Sequence, residues 1–315
     1  MKNVNEKTRA VVIGHAVADA LGVPVEFCDR AELDRDPVKD MQGYGTYPYP
    51  AGCWSDDTSM SLAALDGIKD GQADLDAVMA GFCEWYYRDG YTPTGKMFDI
   101  GNVCSRAIDN YSLHNTPVSE CGLSDEYSNG NGSLMRIHPF SLLAWECEME
   151  ASEWEPLIER ASSMTHGHER SILGCFIYTM ILLRLLDDPS KEAVDRALKE
   201  AERRYADSPE LRHYGRLLSE GFSELARDEI RSTGYVVHTL EAAVWCVLTT
   251  DSYRDCVLKA VNLGEDTDTV AAVAGGLAGA LYGYGAIPHE WLDTLKRREY
   301  IEQLCDRASE EMRRK

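Results

Sequence analysis

Apolar residues recur at the spacing of an amphipathic helix through much of the chain, most clearly over residues 62–68, 75–87, 171–186, 192–205, 238–248 and 291–305. Side chains three and four positions apart share one helix face, so each stretch predicts a helix with one side turned to a core. Strict apolar–polar alternation is nearly absent, and the strongest β-like run, Tyr235-Val236-Val237, is too short to matter. Asp187-Asp188-Pro189-Ser190 punctuates two helical stretches, and the Pro, Gly and Tyr residues gathered in 41–52 predict a surface loop. No repeat, low-complexity tract or linker divides the sequence. The pattern predicts an all-α fold, a single compact domain over residues 1–315.

One segment imitates a membrane span. Residues 269–289 contain no Asp, Glu, Lys or Arg, and Gly275, Gly279 and Gly283 repeat every four positions. The stretch is dominated by Ala and Gly and is approached through Glu265, Asp266 and Asp268, which are costly at membrane depth. It predicts a central buried helix whose small face lets a neighbour come close. No membrane association is expected.

Composition narrows the function. The 315 residues are 44% hydrophobic, enough for a substantial core, and carry a formal net charge of -21. That charge argues against general affinity for nucleic acid or anionic lipid, so an anionic ligand must be held locally, by metal ions, backbone N–H groups or helix N-termini. Ten cysteines include no C-x-x-C pair and sit mostly in apolar surroundings, which predicts reduced core residues in a cytoplasmic protein. The opening residues 1–9 have no signal-peptide hydrophobic region behind their charges. A monomer is expected.

Two acidic clusters carry the candidate chemistry: Ser55-Asp56-Asp57-Thr58 and Asp266-Thr267-Asp268-Thr269, each where an irregular segment runs into a helical pattern. Brought together, their carboxylates and hydroxyls would make an all-oxygen site suited to hard divalent cations. Either cluster alone also reads as a helix cap, since Ser, Thr and Asp accept hydrogen bonds from first-turn N–H groups.

The clusters keep company with further motifs in order: 14–26 (Gly-His-Ala-Val-Ala-Asp-Ala-Leu-Gly-Val-Pro-Val-Glu), Asp99-Ile100-Gly101-Asn102, Gly130-Asn131-Gly132-Ser133-Leu134-Met135-Arg136, Thr165-His166-Gly167-His168 and 234–241. As an ordered set, spanning Gly14 to about Gly283, they resemble the ADP-ribosylglycohydrolase family. The resemblance implies a compact orthogonal helical bundle and two divalent ions, Mg²⁺ or Mn²⁺, held between Ser55, Asp56 and Asp57 on one side and Asp266, Asp268 and Thr269 on the other. Helix N-termini would favour the ionised carboxylates. Ser55 departs from the family's commoner Thr but keeps the hydroxyl. Glu265 replaces a common Gly, and either adds a carboxylate beside the site or points into solvent, the reading we favour.

Hydrolysis of an ADP-ribosyl bond builds positive charge at the ribose carbon, so a nearby carboxylate and an oriented water are required. The resemblance places Asp99 at the reacting ribose and Glu26 close to the ions; the alternatives are a helix cap for Asp99 and a surface position for Glu26. It also implies that Gly130, Asn131, Gly132 and Ser133 hold the pyrophosphate, that His166 lies near the ribose, that Tyr235 stacks on adenine, and that Asn102 and Met135 contact the substrate. A glycine loop of this kind can bring backbone N–H groups close and permits positive φ, although it also serves a simple tight turn. Tyr235 is otherwise an ordinary core residue. His166 and His168, two apart, are poorly placed to share a metal on a helix. The expected activity is removal of ADP-ribose from a modified protein, with arginine as the acceptor. Serine, a nucleic-acid base or a free metabolite are alternative acceptors, and a silent ADP-ribose-binding module is the non-enzymatic one.

Overall fold

The structure, a computed structural model, describes residues 4–314; residues 1–3 of the opening segment lie outside it. Fourteen α-helices follow one another: α1 Val4–Gly22, α2 Arg30–Arg35, α3 Asp56–Asp66, α4 Leu75–Arg88, α5 Asn102–His114, α6 His138–Glu146, α7 Ala151–Ser163, α8 Glu169–Asp187, α9 Lys191–Arg204, α10 Val236–Leu248, α11 Tyr253–Val261, α12 Thr267–Tyr282, α13 His289–Thr294 and α14 Arg298–Met312. Among the described residues the one sheet is a hairpin of two-residue strands, Ile68–Lys69 with Gln72–Ala73. The fold is all-α.

Helices α4, α8, α9 and α10 fall within about two residues of the apolar periodicity. Local chemistry sets several starts: Asp74 accepts from Ala77 N (3.0 Å), Ser190 from Ala193 N (3.2 Å) and Ser252 from Asp255 N (3.0 Å). The 291–305 pattern is two helices, because α13 ends at Thr294 and Arg297 takes the left-handed region (φ 49°) before α14 begins. The apolar spacing runs across that break because both helices bury Trp291, Leu292, Ile301 and Leu304 against one core. The 62–68 pattern likewise starts six residues early, at Asp56, and stops at Asp66.

The centre of the molecule is the pair α1 and α12, which run antiparallel. A Cβ on Gly14 would lie 2.7 Å from Gly275 O, one on Gly279 2.0 Å from Ala10 O, and one on Gly22 2.4 Å from Asp268 Cα. The two backbones therefore touch along their length, as the small-residue face of 269–289 predicts, and Thr267 Oγ1 donates to Gly22 O (2.8 Å) at the end of the contact. Gly283 has a different part: with φ 83° and open space beside it, it ends α12 and packs nothing. Residues 5–25 form the one described stretch long and apolar enough to cross a membrane, and 94% of its most apolar window is buried inside the protein.

This contact fixes the distance between the C-terminal end of α1 and the N-terminal end of α12, where the candidate site stands. Gly279→Val should cost about 1–3 kcal/mol or more, because the added side chain meets backbone that cannot turn aside. Thermal or urea unfolding reads that loss, and a variant as stable as the parent would show that the helices do not pack as described.

Candidate functional site

Three elements deliver carboxylates to one cleft. The first is α1 with the turn after it, carrying Asp19 and Glu26, both buried. The second is the first turn of α3, where Ser55 is the N-cap and Asp56 and Asp57 follow. The third is the start of α12, with Asp266 at the N-cap and Asp268 and Thr269 in the first turn. The capping reading holds for the first cluster and not for the second: Ser55 Oγ accepts from Asp57 N (3.3 Å), while Asp266 makes no side-chain cap. The clusters meet directly, since Thr269 Oγ1 donates to Asp57 Oδ2 (3.1 Å) and Ser55 Oγ donates to the same atom (3.0 Å).

Carboxylate oxygens of Asp19, Asp57 and Asp268 lie within 4.8 Å of one another, and so do those of Glu26, Asp266 and Asp268. Asp268 belongs to both groups. Glu26 Oε2, Asp57 Oδ1 and Asp268 Oδ2 are buried and have no hydrogen-bond partner. Orphaned carboxylate oxygens are costly, and a bound cation satisfies them; the donor set, all oxygen, fits a hard divalent ion.

The electrostatics agree. Burial pushes the Asp19 carboxyl up to about 7, Glu26 to about 9 and Asp99 to about 6, and raises Asp56, Asp57, Asp266 and Asp268 as well. After burial, neighbouring carboxylates act on each other: Asp99 on Glu26 and Asp56, Asp19 on Asp57, Glu26 on Asp268. The helix N-termini, expected to keep these groups ionised, are outweighed by desolvation and like charge. A cation would reverse that balance.

Asp19 is the residue that motif reading left without a role. Its carboxylate accepts from Ser55 N (2.9 Å), Thr58 N (3.1 Å) and Thr58 Oγ1 (2.5 Å), so α1 caps the start of α3 alongside that helix's own Ser55. With its oxygens engaged, Asp19 orients Asp56 and Asp57. The signal for it was a lone acid inside an apolar helix.

Asp99 is not a helix cap. Gly101 is the N-cap of α5, and Asp99 stands two residues earlier with φ 55°, mostly buried beside Glu26 and Asp266. Asn102 opens α5 and is exposed. Glu26 is buried, contrary to a surface position, and Glu265 is exposed. Glu265 has φ 64°, directly after Gly264 with φ 80°, and its carbonyl accepts from Phe27 N (2.7 Å). The backbone there needs the left-handed region that Gly adopts freely.

The loop 130–133 joins the cleft through Asn131, whose Nδ2 donates to Asp266 Oδ2 (2.8 Å) and Thr239 Oγ1 (3.0 Å). Its glycines do not take positive φ. A Cβ on Gly132 would lie 2.7 Å from Cys104 Sγ and 2.9 Å from the His166 ring, so Gly132 is there for close approach, whereas one on Gly130 would meet nothing nearer than 3.4 Å. Asn131 N is bonded to Gly234 O, Ser133 Oγ accepts from Ser162 Oγ (2.9 Å), and Met135 is buried. His166 lies buried under the loop with Nδ1 on Thr165 Oγ1 (2.9 Å), and burial lowers it to about 3, leaving it neutral. His168 turns away: it caps α8 and pairs with Glu126. Tyr235 is half-buried at the start of α10, packed against the edge of the core and edge-on to His238 (5.0 Å), with the Arg170 guanidinium 5.9 Å from its ring.

The family profile described as ADP-ribosylglycohydrolase matches residues 1–315. The chain is 34% identical to ADP-ribosylarginine hydrolase Tri1 of Pseudomonas putida over 95% of this chain and 77% of that protein. It is 27% identical to ADP-ribosyl-[dinitrogen reductase] glycohydrolase of Rhodospirillum rubrum over 93% and 91%. A solved structure titled ADP-ribosylglycohydrolase-related protein complex superposes with a TM-score of 0.81 at 30% identity, covering 99% of this chain and 100% of that one.

A carboxyl raised above its unfolded value keeps a proton that the unfolded chain has released, so its contribution is lost as pH rises through the folded value. Asp19's contribution is therefore spent by about pH 7, and between there and about 9, where Glu26 still holds its proton, the metal-free protein should go on losing stability with rising pH. The buried histidines, all lowered, are neutral in both states across that window. Saturating Mg²⁺ or Mn²⁺ should raise the melting temperature and flatten the slope. Equal slopes with and without divalent ions would separate these carboxyls from metal binding.

Proposed function

The chain belongs to the ADP-ribosylglycohydrolase family, and from that premise we propose that it is a metal-dependent ADP-ribosylarginine hydrolase, releasing ADP-ribose from arginine side chains of modified proteins. The observation that carries the metal dependence is the carboxylate cluster with three orphaned oxygens and Asp268 common to both groups. Ser55, Asp56 and Asp57 on one side, with Asp266, Asp268 and Thr269 on the other, would hold two divalent ions, Mg²⁺ or Mn²⁺. Bound there, the ions supply positive charge that binds the ribose hydroxyls and places a water. Preference for arginine is supported by the 34% and 35% identities to the two Tri1 arginine hydrolases, against 24% to human ADP-ribosylhydrolase ARH3.

In the reaction the bond from the ribose anomeric carbon to the guanidinium nitrogen breaks and a bond to water oxygen forms. One water proton ends on the departing nitrogen, giving arginine and free ADP-ribose. Asp99 steadies the cationic ribose carbon as the bond lengthens. Glu26, beside it in the cleft, accepts the proton of the attacking water. Tyr235, with one flank against His238 and its ring partly exposed, offers a flat face for adenine. The Gly130–Ser133 loop, tied to the cleft by Asn131, holds the pyrophosphate through its remaining backbone N–H groups, and neutral His166 beneath it faces the ribose.

Asp99→Asn keeps size and hydrogen bonding but removes the charge. Turnover of ADP-ribosylarginine with Mg²⁺ should fall about 10²-fold or more while affinity for ADP-ribose and metal is kept. Lost ligand binding with unchanged turnover per bound substrate would contradict that role. An acceptor panel including ADP-ribosylserine and ADP-ribosylated nucleic acid tests the arginine assignment.

A further inference from the structure

Asp99 sits in a stretch, 96–100, without regular structure, with its backbone in the left-handed region that Asp tolerates, so no helix or strand fixes it. The residue before it supplies a fixed point. Phe98 packs its ring on Tyr47 (centroids 4.9 Å) and on Tyr49 (4.4 Å). The loop that carries both tyrosines is fastened in turn to the segment that carries Glu26: Thr46 N donates to Pro24 O (2.8 Å) and Thr46 Oγ1 to Glu26 O (2.6 Å). Gly45 permits this contact, since a Cβ there would fall 1.7 Å from Pro24 O. The Tyr47 hydroxyl also reaches toward both the Glu26 and the Asp99 carboxyls. Residues 43–51 thus grip the two candidate catalytic carboxylates from outside the metal ligand set.

We propose that this loop is an aromatic brace in which Tyr47, Phe98 and Tyr49 are positioning residues that set Asp99 against Glu26 and the substrate ribose. The proposal rests on the role given to Asp99 above. Physically, Asp99 has no helix or strand to fix it, and a misplacement of about 1 Å at a reacting centre costs on the order of 10²-fold in rate. A ring packed on two others holds Phe98, and with it the Asp99 that follows, in one position, and the Thr46 hydrogen bonds to Pro24 O and Glu26 O carry that position to Glu26.

The test is a double-mutant cycle on ADP-ribosylarginine with saturating Mg²⁺. Phe98→Ala should lower kcat about 10- to 100-fold, leave KM within about 3-fold and leave metal affinity unchanged, and Phe98→Tyr should recover most of the loss. In an Asp99→Asn background the same Phe98→Ala change should cost less than about 3-fold, because a group acting through Asp99 has nothing left to position. Tyr49→Ala leaves Phe98 in place and gives the same cycle if Phe98→Ala does not fold. A kcat near wild type in both alanine variants, with Asp99→Asn slow, overturns the brace alone. Losses of equal size in both backgrounds overturn it too, since they mark a general structural effect. An Asp99→Asn variant at wild-type rate overturns the role of Asp99 and the brace with it.

Discussion

Seven carboxyl groups, Asp19, Glu26, Asp56, Asp57, Asp99, Asp266 and Asp268, are crowded into one cleft, each raised first by its burial. Like charges out of water repel strongly, so such a cluster persists only where something opposes the repulsion. The fold supplies part of the opposition itself: three donors on Asp19, two hydroxyls on Asp57 Oδ2 and the Asn131 amide on Asp266. The oxygens left over, on Glu26, Asp57 and Asp268, belong to the two carboxylate groups that meet at Asp268. Scaffold and site are in this sense one design, with the backbone contact of α1 and α12 holding the cluster together from below.

That contact explains why the two acidic motifs can act jointly although 209 positions separate Asp57 from Asp266. Glycines at 14, 22, 275 and 279 let two helices touch where any side chain would hold them apart. The first turn of α3 is then tied to α1 by Asp19. The N-termini of α3 and α12 converge as a result, and their first-turn residues share hydrogen bonds.

Much of this was legible in the sequence, and the failures have physical causes. Surface helices such as α4 and α9 announce themselves because one face is wet. Helix α1 is buried on nearly every side, so its apolar residues show no period, and it was read only as a motif. The break at Leu295–Arg297 was hidden because two helices bury one continuous set of apolar residues. In the site, Ser55, Asp56, Asp57, Asp266, Asp268 and Thr269 came together as the family resemblance implies, and Glu26 and Asp99 stand beside them. Asp19 was missed because its work, capping a helix distant in sequence, leaves no local pattern. Residues 41–52 form the surface loop that their Pro, Gly and Tyr predict, but the packing of Tyr47 and Tyr49 on Phe98 joins segments about 50 residues apart, which spacing does not reveal.

The central claim is that the carboxylate cluster is a two-ion site joined at Asp268. Counting bound Mn²⁺ per chain by calorimetry and electron paramagnetic resonance, for the parent and for Asp268→Ala, tests it most directly. The account predicts two ions in the parent, with the spin coupling of a close pair, and at most one weakly held, uncoupled ion in the variant. Two ions bound with unchanged affinity in Asp268→Ala, or none in the parent, would contradict it.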